Sequence, residues 1–104
     1  MSFKKLDRRE AVSSLLEHRA NLLIVSGLGS PTYDVHAAGD CDQNFYLWGA
    51  MGGAAMMGLG LAIARPEKSV LVITGDGEQL MGIGGLATIG VQKPKNLTLA
   101  ILDN

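Results

Sequence analysis

An α/β fold, with helices on both faces of a doubly wound and mostly parallel sheet in three layers, is predicted by three observations. Two short apolar runs, residues 69–74 (Ser-Val-Leu-Val-Ile-Thr) and 97–102 (Leu-Thr-Leu-Ala-Ile-Leu), lack the alternation of a half-exposed strand and suit strands covered on both faces. Helical patterns alternate with such runs along the chain. Both runs end on residues with chemistry, Gly75-Asp76-Gly77 after the first and Asp103-Asn104 after the second. Ligands of open α/β sheets bind at such carboxyl ends.

The elements follow in order. Asp7 is placed to cap a helix through about residue 18, with Leu6, Val12, Leu15 and Leu16 as its apolar stripe and Glu10 at capping-box spacing. Residues 22–26 form the first strand. The small residues of 26–31 (Ser-Gly-Leu-Gly-Ser-Pro) suit a plain turn or, through exposed amides, an anion. A short helix over 33–39 and a polar loop over 38–44 come next. Residues 52–65 read as a buried helix whose small side chains allow close packing. Residues 65–68 turn into the strand ending at Gly75, a helix covers 79–89, and residues 92–96 lead into the last strand.

Composition narrows the functional class. The chain has 104 residues, enough for one domain with a modest core. Nine Lys and Arg against ten Asp and Glu give a net charge of −1, with the cations scattered, so neither nucleic acid nor a membrane surface is an expected partner. Cys41 is the one cysteine, which favours a reducing compartment, the cytoplasm, and an ordinary thiol. Residues 45–64 are uncharged and long enough to cross a bilayer, but their five glycines lower both hydrophobicity and helix propensity, which favours a buried helix.

The chemistry concentrates around Gly75-Asp76-Gly77. The two glycines allow backbone angles closed to other residues and let a bulky anion approach the main chain, while the Asp76 carboxylate offers a hard oxygen ligand. That combination suits a magnesium diphosphate. If the two strands are neighbours, Asp76 and Asn104 converge.

On these residues the chain resembles the diphosphate-binding domain of thiamine-diphosphate-dependent enzymes, whose signature is Gly-Asp-Gly with an asparagine downstream. The resemblance implies that Asp76 and Asn104 ligate Mg2+, which holds the diphosphate of thiamine diphosphate together with Gly75, Gly77 and Glu78. Many members carry a second asparagine where Asp103 stands; the Asp-Asn ending is similar to the sulfopyruvate and phosphonopyruvate decarboxylase branch. A second match is residues 47–52 (Leu-Trp-Gly-Ala-Met-Gly), where the family's pattern implies that the Gly49 carbonyl accepts from the aminopyrimidine and that Met51, beside Ala50, wedges between the cofactor rings. Glu78 departs from the pattern, since family members often have a small or hydroxyl residue there. An ionised carboxylate repels phosphate, so Glu78 is expected to point outward or to offer only its backbone amide.

The resemblance further implies a 2-oxo acid decarboxylase whose active site is shared with a pyrimidine-binding subunit, in a homo- or hetero-oligomer. That partner supplies the glutamate that activates the cofactor, because Glu10, Glu17, Glu67 and Glu78 stand in no recognisable version of its setting. The family completes the metal shell with a backbone carbonyl two residues beyond the position matching Asn104. Residues 1–104 are therefore expected to be one diphosphate-binding domain, incomplete at its C-terminal end and a weak cofactor binder on its own. Two alternatives compete. Residues 82–87 (Gly-Ile-Gly-Gly-Leu-Ala) formally fit a nicotinamide or flavin dinucleotide fingerprint, which belongs at a strand-to-helix turn; and a non-catalytic subunit would keep the fold without turnover. His18 and His36 are expected to be structural, and Met56, Met57 and Met81 to be packing residues.

Overall fold

A computed structural model of the chain describes residues 5–103. Its elements run α1 (Arg8–Leu15), β1 (Leu23–Ser26), α2 (Ser30–Ala38), β2 (Asn44–Tyr46), α3 (Ala54–Ala64), β3 (Val70–Gly75), α4 (Asp76–Met81), α5 (Gly84–Gln92) and β4 (Leu97–Leu102). The four strands form one all-parallel sheet in the order β2-β1-β3-β4. Parallel neighbours need crossovers, and helices supply them.

The β-branched and aliphatic side chains of β3 alternate between two cores. Leu71 and Ile73 join Ile24, Val12 and Leu16 of the α1 region, and Val35 of α2, on one face. Val72 joins Val25, Leu47 and Ala54 on the other, with Leu61, Leu97 and Leu99 packed around them. A strand with apolar neighbours above and below has no polar face to show, which explains its uniform sequence. On the second face, α3 turns Ala54, Ala55, Gly58, Leu59 and Ala62 inward. A Cβ at Gly58 would overlap the Val72 side chain, so glycine there sets how closely α3 approaches the sheet.

Helix ends are satisfied from predictable places. Asp7 caps α1, its Oδ1 accepting the Glu10 N–H at 3.0 Å. The Asn96 amide nitrogen donates to the carbonyls of Ala62 at 3.0 Å and Lys68 at 2.8 Å, tying the end of α3 to the entry of β4.

Several expectations from the sequence are corrected. The polar loop ends in a short edge strand, β2, whose three residues are too few to show a pattern. The helix expected over 79–89 is two helices, broken at Gly82 and Ile83. At that break the backbones of Gly52 and Gly82 touch so closely that a Cβ on Gly82 would collide with Gly52, and the chain kinks where the two meet. The last strand was expected to be covered on both faces; β4 is a half-exposed edge strand, with Ile101 and the neighbouring Leu80 and Ile83 open on one side. Among the described residues no helix is long and apolar enough to cross a membrane, and the uncharged run of residues 45–64 holds the 11-residue α3.

Candidate functional site

The sheet brings the two chemical strand ends together. β3 and β4 are parallel neighbours, with Thr74 opposite Ile101 and Gly75 opposite Leu102, so Asp76 and Asp103 leave the sheet side by side. Asn104 lies outside the described residues. Asp76 is the first residue of α4 and Gly75 its cap, with φ −91° and ψ 163°.

A cavity of about 190 Å³ opens beside this turn, lined by Gly75, Asp76, Gly77 and Glu78 together with Met51, Leu28, Ser30, Pro31, Arg8 and Leu102. Met51 is thus brought onto Gly77 from a loop 26 positions earlier in the chain, and a Cβ on Gly77 would lie 4.0 Å from its Cε. That loop is bent sharply: Gly49, Ala50 and Gly52 have φ of 66°, 51° and 99°. The left-handed Ala50 costs about 1–2 kcal/mol, strain of the kind concentrated at functional sites. Gly49 and Ala50 themselves stay exposed and do not line this cavity.

The Glu78 side chain does not point outward, the first of its two expected arrangements. Its carboxylate is buried and turned inward, with Oε1 accepting the Leu28 N–H at 2.7 Å and Oε2 accepting the Ala54 N–H at 3.2 Å. Ala54 is the first residue of α3, so the anion sits on a helix N-terminus, where the dipole favours it. The side chain thereby joins α4, the loop after β1 and the start of α3. A Cβ on Gly27 would come within 2.7 Å of Oε1 and 2.6 Å of Thr74 Oγ1, which is why the chain is bare there. An interior anchor rather than a phosphate contact explains a carboxylate beside a Gly-Asp-Gly turn.

The remaining titratable groups lie elsewhere. Glu10 and Glu17 are exposed, and Glu67 lies before β3, at the opposite end of the sheet, paired with Arg65. Its own backbone amide and Arg65 hold the Glu67 carboxyl below the ordinary range. His18 is exposed, and His36 tilts against Tyr46 with ring centroids 6.2 Å apart, away from Asp76. Cys41 is an exposed free thiol. In the same corner the Tyr46 hydroxyl donates to Asp40 Oδ1 at 2.7 Å. This bond holds the Asp40 carboxyl down, while burial and then Asp40 push the Tyr46 hydroxyl up. A lowered carboxyl favours the folded state above its unfolded pKa and loses that contribution as pH falls through its folded value. In Tyr46→Phe, Asp40 is expected to titrate closer to the ordinary carboxylate value in an NMR pH series; an unmoved midpoint would show that the hydroxyl does not control it.

Among the described residues no group of three or more His, Cys, Asp or Glu is arranged to hold a metal ion. One carboxylate beside a cavity suits Mg2+, which usually takes one or two carboxylates and completes its shell with water and substrate phosphate. The dinucleotide alternative loses its geometric support, since Gly82 lies between α4 and α5 rather than at a strand-to-helix turn. Leu28, Ser30 and Pro31 come from the 26–31 segment that the sequence left open to an anion, whereas sequence reasoning missed Arg8 and Leu102 as lining residues. The available signal was topological: a helix that precedes a parallel strand starts at the strands' carboxyl ends.

The family model described as thiamine pyrophosphate enzyme, C-terminal TPP binding domain, matches residues 30–104. The chain is 38% identical over 104 residues to sulfopyruvate decarboxylase subunit beta of Methanothermobacter thermautotrophicus, covering 100% of this chain and 54% of that protein. It is 48% identical over 82 residues to the subunit beta of the same name from Methanocaldococcus jannaschii, covering 79% of this chain and 43% of that protein. It is also 43% identical over 90 residues to phosphonopyruvate decarboxylase of Streptomyces viridochromogenes, covering 86% of this chain and 22% of that protein. The chain thus spans about half the length of the curated beta subunits it matches.

Proposed function

The chain belongs to the thiamine pyrophosphate enzyme family, with the family's C-terminal TPP-binding domain over residues 30–104, and from that premise we propose that it serves a 2-oxo acid decarboxylase by holding thiamine diphosphate through Mg2+. The observation that carries this reading is the convergence of Asp76, Gly75, Gly77 and Met51 on one cavity at the carboxyl end of β3. Asp76 supplies one carboxylate oxygen to the metal, and Asn104, the next residue in sequence after Asp103, supplies a second. Gly75 and Gly77 leave room for the diphosphate against the backbone. Met51 sets the shape of the cofactor, and the Gly49 carbonyl and the Ala50 backbone border its ring portion. Glu78 contributes through its main chain and by anchoring the surrounding loops. When bound, thiamine diphosphate stabilises the carbanion left as carbon dioxide departs from a 2-oxo acid.

The names of the relatives favour an acidic 2-oxo acid, sulfopyruvate or phosphonopyruvate, as substrate. A pyrimidine-binding partner subunit supplies the glutamate that activates the cofactor. In support, Glu10, Glu17 and Glu67 are exposed residues that do not line the cavity, and Glu78 is committed to two amide bonds. The relatives named subunit beta fit such a division of labour. The lone exposed thiol suits a reducing cytoplasm.

Trp48, the one tryptophan, stands 87% exposed immediately before the bent loop of residues 49–52 and reports on its surroundings. Thiamine diphosphate with Mg2+ is expected to change its emission in the intact protein, and NAD is expected to leave it unchanged. A saturable response to NAD, with none to thiamine diphosphate, would favour a dinucleotide site instead.

A further inference from the structure

Within the cavity, one lining residue has no place in the proposed ligand set. Arg8 opens α1, and because α1 runs antiparallel to the strand that follows it, its side chain arrives at the same end of the sheet as Asp76. Its orientation is imposed from below. The Nε of Arg8 donates to Oδ2 of Asp34, and the Nε of Arg9 donates to the other carboxylate oxygen, Oδ1, at 3.2 Å. Asp34 is 0% exposed, whereas the Arg8 side chain remains 34% exposed.

A buried carboxylate carries a desolvation cost of several kcal/mol, which is offset only when it is well paired. Here two guanidinium groups share one carboxylate, so the cluster retains one unbalanced positive charge. The pairing uses only Nε of Arg8; among the described residues its two terminal nitrogens make no hydrogen bond. These are the donors whose planar fork matches an oxyanion such as phosphate.

We propose that Arg8 is a ligand of the terminal phosphate of the diphosphate and that Asp34 is its positioning residue. The inference rests on the assignment of the cavity to thiamine diphosphate. Asp76 with its metal neutralises the anion from the strand side, and Arg8 does so from the α1 side across the cavity they both line. The simpler possibility is that the Arg8, Asp34 and Arg9 cluster only fastens α1 to α2, in which case its loss changes stability and leaves ligand choice alone.

The two possibilities separate on ligand discrimination. Titration calorimetry on the protein assembled with its partner subunit, with saturating Mg2+, compares thiamine diphosphate with thiamine monophosphate, which lacks the terminal phosphate. Arg8→Gln is expected to weaken the diphosphate by about tenfold to a hundredfold while changing the monophosphate by less than about threefold. Asp34→Asn, which keeps the Arg8 charge and removes its anchor, is expected to reduce the same preference to a smaller degree. Arg8→Lys retains the charge and decides the matter where Arg8→Gln does not fold; it too is expected to lose part of the preference. An unchanged ratio of the two affinities, within about twofold, in a folded Arg8 variant would overturn the proposal. If the unsubstituted protein bound neither compound, the cofactor assignment itself would fall, and this inference with it.

Discussion

Asp76→Ala is expected to abolish magnesium-dependent binding of thiamine diphosphate, weakening it by more than about a hundredfold, while leaving the fold nearly as stable as before. The asymmetry follows from where Asp76 sits. It is partly exposed at the first position of α4, and its contribution to stability is that of an acidic residue near a helix N-terminus, about 0.3–1 kcal/mol. For the metal it is, among the described residues, the one carboxylate that lines the cavity beside Gly75 and Gly77 without an internal hydrogen bond. Asp76→Glu moves the carboxylate by a methylene and is expected to bind with intermediate affinity. Calorimetric titration in the presence and absence of Mg2+ measures both effects, with thermal unfolding as the control. A variant that folds and still binds the cofactor tightly would remove Asp76 from the site.

Glu78→Ala has the opposite profile. Removing the side chain strands two amide donors, those of Leu28 and Ala54, where the residues around them are packed. Each unsatisfied buried donor costs about 1–3 kcal/mol, so the variant is expected to lose about 2–5 kcal/mol of stability. Glu78→Gln keeps one acceptor oxygen but points an amide N–H at the second donor, and a smaller loss is expected. Urea unfolding at constant m-value measures the difference. A loss well under about 1 kcal/mol in Glu78→Ala would show that water or a shifted loop satisfies both amides. Because Glu78 joins the loop after β1 and the start of α3 to the helix that carries Asp76, a weaker cofactor complex is also expected, secondary to the loosened loops.

These two neighbours show what the sequence could and could not disclose. The Gly75-Asp76-Gly77 turn was legible because glycine and aspartate at the end of an uninterrupted β-branched run serve a local purpose that needs no knowledge of the rest of the fold. Its partner strand was legible for the same reason, and the parallel pairing of β3 with β4 follows from two like-patterned strands joined by a helical crossover. Glu78 was not legible. Whether a carboxylate beside a phosphate turn faces the ligand or the interior depends on amides at Leu28 and Ala54, remote in sequence from it. Arg8 was missed because a charged residue at a helix start has an ordinary solvated role; only its anchor, Asp34, distinguishes it, and Asp34 itself sits in a short helix of weak pattern. The break between α4 and α5 depended on a glycine-to-glycine contact between Gly52 and Gly82, and the half-exposed state of β4 on its place at the sheet edge. Long-range contacts decided each of these, and local pattern carries little of that information.

A divalent metal held by Asp76 for a diphosphate at the carboxyl end of β3 has a spectroscopic consequence. Electron paramagnetic resonance of Mn2+, used in place of Mg2+ and titrated with thiamine diphosphate into the protein assembled with its partner subunit, reads this out at the metal itself. One tightly bound Mn2+ per chain is expected, dependent on the diphosphate and lost in Asp76→Ala. Stoichiometric Mn2+ retained by a folded Asp76→Ala variant, or no bound Mn2+ in the unsubstituted protein with the cofactor present, would contradict it.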